Sequence, residues 1–161
     1  MNQAPRFGGA IYTSHSHITI SESKFNKNAA EYGGAIFCED SSLINVIDSS
    51  FNRNRADFGG AMAILGRSAV QIVWSVFTCN TVAIRGGALD IQYFGTMIII
   101  GSTFSNNMTK GDGGGIQARK YEYRKHKWKY ILNNNRAYKN GGALSIVYGY
   151  NVIFISNTIL L

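Results

Sequence analysis

Residues Gly33 to Gly60 read GGAIFCEDSSLINVIDSSFNRNRADFGG, and this stretch decides the fold. It begins and ends on a glycine pair. Gly33-Gly34 is followed by the small residue Ala35 and the aliphatic Ile36, and Phe51-x-x-Asn54 comes 17 residues after Gly34. The same unit recurs in both directions. Glycine pairs fall at Gly8-Gly9, Gly33-Gly34, Gly59-Gly60, Gly86-Gly87, Gly113-Gly114 and Gly141-Gly142, in steps of 25, 26, 27, 27 and 28 residues. Phe-x-x-Asn trails four of them, at Phe25/Asn28, Phe51/Asn54, Phe77/Asn80 and Phe104/Asn107. In the fifth unit the Phe role falls to Ile131 with Asn134 or to Leu132 with Asn135, and in the sixth to Ile159. A fixed period of this length marks a repeat architecture.

Within each unit the apolar period is two. Ile11/Thr13, Ile36/Cys38, Met62/Ile64, Leu89/Ile91, Ile116/Ala118 and Leu144/Ile146 share one face. Tyr12, Phe37, Ala63, Asp90, Gln117 and Ser145 share the other and are chemically mixed, which predicts a half-buried strand. A second strand precedes each Phe, through Ile18/Ile20, Ile44/Val46, Val70/Ile72 and Met97/Ile99. No stretch of a dozen residues carries a helical stripe. Short strands of one length, with equivalent residues in every unit, predict stacked coils that pool their apolar faces into one core. The Phe column becomes an aromatic stack, and the Asn column a buried ladder bonding turn backbone. The glycine column, Gly9, Gly34, Gly60, Gly87, Gly114 and Gly142 with their partners, supplies a positive-φ corner or a close backbone approach.

Composition agrees. The 161 residues are 45% hydrophobic and 16% charged, which fits one globular domain over residues 1–161. Glycine is abundant, at 18, and Pro5 is the only proline. Collagen and flexible linkers are thereby excluded. Stacked strands explain the shortage, since proline deletes a ladder hydrogen bond, and Pro5 is placed before the first coil. The longest apolar runs, Ala61 to Leu65 and Met97 to Ile100, are far too short to span a bilayer as a helix, and the start MNQAPRFGG has no secretory h-region.

Six copies of GGA[I/L/M] interleaved in phase with four clean copies of FxxN resemble the repeats of the chlamydial polymorphic outer membrane proteins. The resemblance covers Gly8 to about Ile159. It implies a right-handed parallel β-helix of about five to six coils without clear caps. It also implies a cell-surface or extracellular, adhesin-like role, because in that family the repeats form displayed autotransporter passengers. A signal peptide and a C-terminal membrane barrel, both found in that family, are not in this sequence. The unit boundaries suggest a piece of a longer repeat protein, with further coils of the same parent as partners at both ends.

Parallel β-helices also host carbohydrate-active enzymes of the pectate-lyase type, so carboxylate clusters matter. Glu22 and Asp48 stack in adjacent coils, followed by Trp74 and Gly101, and Glu31 and Asp57 stack likewise. Two acids could bind Ca²⁺ or share acid/base work, but no third converges on either pair, and solvated outward positions account for them. His15 and His17 form an HxH pair with no further ligand in their column. Cys38 reads as a buried hydrophobe and Cys79 as an exposed turn thiol, on different edges and unpaired. Asn107-Met108-Thr109 is a glycosylation sequon whose Asn belongs to the buried ladder, so no glycan is expected there. No catalytic residue, metal site or cofactor is assigned.

One segment departs from the rhythm. Arg119, Lys120, Arg124, Lys125, Lys127 and Lys129 are interleaved with Tyr121, Tyr123, Trp128 and Tyr130, and supply most of the net charge of +7. Basic residues among aromatics suit an anionic ligand. The plainer reading is an irregular, outward-bulging strand whose lysine stems lie over the wall. The expected function is a non-enzymatic surface scaffold presenting outer side chains to a glycan or protein partner. The alternative is a carbohydrate-active enzyme or polysaccharide-binding module, and nucleic acid is not an expected partner.

Overall fold

A computed structural model shows a parallel β-solenoid and describes residues 1–93, 96–119, 126–133, 135–147 and 152–154. Three parallel sheets form its walls. The first stacks six strands in sequence order: Ile11–Ser14, Ile36–Glu39, Met62–Ile64, Leu89–Gln92, Ile116–Arg119 and Leu144–Val147. The second contains His17–Ser21, Leu43–Ile47 and Ala69–Val73, the short strands Lys24–Asn26, Ser50–Asn52 and Val76–Thr78, and the long strand Thr96–Ser105. The third is built from Arg55–Phe58, Thr81–Arg85, Met108–Thr109 and Arg136–Ala137. Partners within a sheet are one repeat apart, as in Ile36↔Met62 and Phe51↔Phe77.

The walls meet at columns of left-handed residues. Glu22, Asp48, Trp74 and Gly101 all have φ between 46° and 60°. Lys27, Arg53, Cys79 and Asn106 have φ between 52° and 57°. A single left-handed residue redirects the strand while its amide still bonds the next coil, as Lys27 N–H does to Asn52 O and Arg53 N–H to Thr78 O. In Thr96–Ser105 the two parts of the second sheet run together through Gly101, where pairing with the next strand slips between Ile100 and Ser102.

The two glycines of each pair do different work. Gly33 has φ 63°, and a Cβ there would overlap the carbonyl oxygen of Ile36, three residues on. Gly34 has ordinary dihedrals, but a Cβ there would overlap the carbonyl of Gly60 in the next coil. The first glycine makes the turn, and the second lets neighbouring coils approach.

Inside, Phe25, Phe51, Phe77 and Phe104 stack with ring centroids 4.6–4.7 Å apart and planes within 5°. That distance is the strand spacing itself, so the stack follows from parallel in-register pairing. Beside it runs the asparagine ladder. Nδ2 of Asn28, Asn54, Asn80 and Asn107 donates to Oδ1 of the next Asn at 2.9–3.0 Å, ending on Asn135. From Asn54 onward, Nδ2 also donates to the Phe carbonyl of the preceding coil. Phe104 pairs with Leu132, which selects Leu132/Asn135 over Ile131/Asn134 for the fifth unit.

A serine ladder joins these columns. The amides of Ser23, Ser49 and Ser75 donate to Oγ of Ser49, Ser75 and Ser102 at 3.0–3.1 Å, and each hydroxyl donates to the carbonyl two residues before it. Ser16, Ser42 and Ser68 repeat the device at another corner.

Two expectations are corrected. The outer face of the first sheet is covered over its middle strands: Phe37, Ala63, Asp90 and Gln117 are all 0% exposed, while Tyr12 stays exposed. Residues that precede three of the glycine pairs fold back over it. Phe7 stacks on Phe37 at 4.6 Å, Tyr32 lies edge-on to the same ring, and Arg85 reaches Asp90. The tight glycine turn makes this return possible, giving the strand a second apolar cover. Pro5 also lies within the stacked path, between Gln3 and Phe7, which bridge Ala29 and Tyr32. The bonds to the next coil on either side of it, Ala4 N–H to Ala29 O and Tyr32 N–H to Arg6 O, do not use the Pro5 nitrogen.

Candidate functional site

With the inward columns fixed, chemistry has to be sought on the outer surface. Of the basic segment, Arg119 closes the strand Ile116–Arg119, is half-buried, and lies near enough to Asp90 to pull its pKa down. Lys120, Tyr121, Tyr123, Arg124 and Lys125 lie outside the described residues. Lys127, Trp128 and Lys129 sit in the strand His126–Asn133, paired with Ile98, Ile99 and Ile100. Trp128 thus takes the register position of Ile99 and Ile72 in preceding coils. The backbone continues the second sheet with one slip, where the sequence suggested an irregular bulge.

The carboxylates do not assemble into a catalytic group. Glu22 and Asp48 are exposed at their corner, with Trp74 and Gly101 continuing the column. The Trp74 indole is 64% exposed and lies where a Cβ on Gly101 would be. Glu31 and Asp57 are half-buried neighbours, the amide of Asp57 donating to the Glu31 carbonyl. Among the described residues no three His, Cys, Asp or Glu side chains gather to hold a metal ion.

The strongest electrostatic feature is one that sequence reading assigned to solvent. Asp90 is fully buried under Arg85, whose Nε donates to both carboxylate oxygens at 3.2 and 3.1 Å, while Gln92 Nε2 donates at 2.9 Å. Burial pushes the Asp90 carboxyl up to about 6, against the opposing pull of Arg85, Gln92 and Arg119. Arg85 also lies over the Phe58 ring at 4.5 Å. In the next coil Gln117 is buried with neither amide atom hydrogen-bonded. This cluster is a buried polar plug replacing the Phe37 and Ala63 of earlier coils.

His15 and His17 are both exposed, and His15 Nδ1 contacts Ser14 Oγ at 2.9 Å. Cys38 is buried, Cys79 half-buried, and both are free thiols; burial raises the Cys38 pKa. Asn107 of the sequon is fully buried, its amide nitrogen bonded to Phe77 O and Asn135 Oδ1.

The outer face of the third sheet is concave. Two adjoining depressions of about 550 and 250 Å³ share Arg55 and Asp57. The arrangement defines a class: a parallel β-solenoid whose inward residues are committed to ladders and whose outward columns vary from coil to coil. The family model of the Chlamydia polymorphic membrane protein repeat matches it at two places, residues 22–39 and 101–119. Each match runs from a left-handed corner (Glu22 or Gly101) through the serine, Phe, Asn and glycine columns to the last residue of a first-sheet strand (Glu39 or Arg119). Over these two segments the chain is similar to a repeat of a family described as membrane proteins. No curated protein and no solved structure matches it.

Proposed function

We propose that the chain is a non-enzymatic, adhesin-like scaffold displayed at the cell surface, binding a glycan or protein through its outer side chains. One observation carries this reading: constant inward ladders coexist with outward columns that change at every step. The register position after each ladder Asn is occupied in turn by Ala29, Arg55, Thr81, Met108 and Arg136. A surface whose chemistry varies while its backbone stays fixed is suited to recognition. The paired acids, each followed by residues of other chemistry, favour this over polysaccharide cleavage.

The test has two arms. Incubation with a panel of acidic and neutral polysaccharides is expected to release no reducing ends and no unsaturated products, and turnover of any of them overturns the scaffold reading. A glycan array is expected to show binding by the intact chain, and binding that survives neutralisation of Arg119 to Lys129 removes that segment from the binding surface.

A further inference from the structure

The concave outer face of the third sheet has a charge pattern of its own. Its floor is short-chained: Ala4, Ala29, Ala30 and Ala56 under the larger depression, and Val82 and Ala83 under the smaller. Its rims are long. Lys27, Arg53 and Arg55 stand along the larger depression and Lys110 along the smaller, all exposed, while Asp57 is the one carboxylate among the lining residues. The groove is therefore bounded by small residues and long basic side chains along one wall of the solenoid. Because its lining spans the five stacked levels of Gln3, Ala29, Arg55, Thr81 and Met108, four steps of ~4.8 Å, it runs roughly 19 Å along the solenoid axis.

Three features point to a ligand. First, none of the four bases forms an ion pair among the described residues, so each has its full hydrogen-bonding capacity unused. Second, Lys27 and Arg53 occupy equivalent corners in neighbouring coils, both in the left-handed conformation that favours Gly or Asn. Their backbones are one strand spacing apart, so two exposed cations share one corner column, as a chain of repeated negative charges requires. Third, Arg53 and Arg55 flank Asn54, whose buried side chain is locked in the ladder, so the two guanidinium groups project from a rigid base. Arginine on a fixed backbone is suited to bidentate contact with sulfate or carboxylate.

We propose that this groove binds an extended anionic polysaccharide carrying sulfate or carboxylate groups, laid along the solenoid axis across the five levels from Gln3 to Met108. The proposal rests on the scaffold reading and names its surface. The shape argues against the other polyanions. No aromatic side chain lines the groove, and single-stranded nucleic acid relies on aromatic platforms for its bases. A peptide adding to a sheet pairs with an unpaired edge, whereas this surface is the face of a wall whose levels are paired to one another, from the bridges Gln3–Ala29–Arg55 through the third sheet. A sugar chain needs only charge, hydroxyl partners such as Thr81, and a smooth floor, and all three are present.

The experiment measures binding of a heparin dodecasaccharide and of polygalacturonate to the full chain at low and moderate salt, with neutral dextran as control. Binding of either acidic chain and not of dextran, with affinity falling steeply with salt, is expected. The variant Lys27→Ala/Arg53→Ala/Arg55→Ala is expected to lose at least tenfold in affinity. Lys24→Ala/Lys139→Ala, which removes charge from exposed positions outside the groove, is expected to stay within twofold. Asp57→Asn adds net positive charge and is expected to tighten binding, an arm that does not depend on the triple variant folding. Absence of binding, equal loss in the two multiple variants, or weaker binding by Asp57→Asn overturns the groove. Equally tight binding of single-stranded DNA or polyglutamate overturns the polysaccharide assignment. None of these outcomes bears on polysaccharide turnover, so this proposal and the scaffold reading fail separately.

Discussion

Replacing Asn80 by Ala removes the middle rung of the buried ladder. Its Nδ2 donates to Phe51 O at 3.0 Å and to Asn107 Oδ1 at 2.9 Å. Its Oδ1 accepts Asn54 N–H at 2.9 Å and Asn54 Nδ2 at 3.0 Å. The losses are unequal. Asn107 Oδ1 still accepts the Asn80 amide, and Asn54 Nδ2 still reaches Phe25 O. Asn54 N–H is left in the core with no replacement, at about 1–3 kcal/mol, while Phe51 C=O stays in the strand ladder with Val76–Thr78. With three weakened contacts at about 0.7 kcal/mol each the total is about 4 kcal/mol, a large part of the stability usual for a domain. With a urea slope of about 2 kcal/mol/M, the unfolding midpoint falls by about 2 M. Asn26→Ala, on the exposed side of the strand Lys24–Asn26, is the control and changes stability by less than about 0.5 kcal/mol. Urea titrations followed by far-UV circular dichroism give both numbers. Midpoints for the two variants within 0.3 M of each other, an interval of roughly 0.6 kcal/mol at that slope, would refute the reasoning.

Other consequences are as concrete. Gly33→Ala forces a Cβ into the Ile36 carbonyl at a positive-φ turn, so soluble yield should collapse, whereas Asp48→Gly at φ 46° should fold with unchanged or slightly higher thermal midpoint. Asp90 holds its proton to about pH 6 when folded and to about 3.8 when unfolded, so the folded state binds more protons between those values. Stability is then greatest below pH 4 and falls by about 3 kcal/mol as pH rises through 6; denaturant titrations across that range should show the slope in the native chain and a flatter profile in Asp90→Asn. Thiol titration should label Cys79 in the native state and Cys38 only after unfolding, because Cys38 is buried with a raised pKa.

Much of this structure is legible in the sequence because a solenoid samples each position several times. Four copies of Phe-x-x-Asn and six glycine pairs reveal columns that a single copy would not. The serine column was equally regular, two residues before each Phe at Ser23, Ser49, Ser75 and Ser102, and Ser-x-Phe-x-x-Asn was the available signal. Serine is so common in turns that its spacing is easily taken for loop composition. The third sheet left no such trace. Strands as short as Met108–Thr109 cannot show an alternation, and they exist because neighbouring coils hold them. The burial of Phe37 and Asp90 was illegible for a related reason: their cover comes from Phe7, Tyr32 and Arg85, whose return path depends on the three-dimensional turn at each glycine pair. The basic groove escapes pattern reading because Arg55 and Lys110, which line one depression, lie 55 residues apart in the chain and are brought together only by the stacking of coils.

The most direct test of the stacked-coil account is backbone NMR on the isotope-labelled chain. In-register parallel pairing predicts cross-strand contacts joining Phe25 to Phe51, Phe51 to Phe77 and Phe77 to Phe104, each one repeat away and running in the same direction along both strands. Contacts that link these strands to others at different separations, or in antiparallel order, would contradict the solenoid and every ladder built on it.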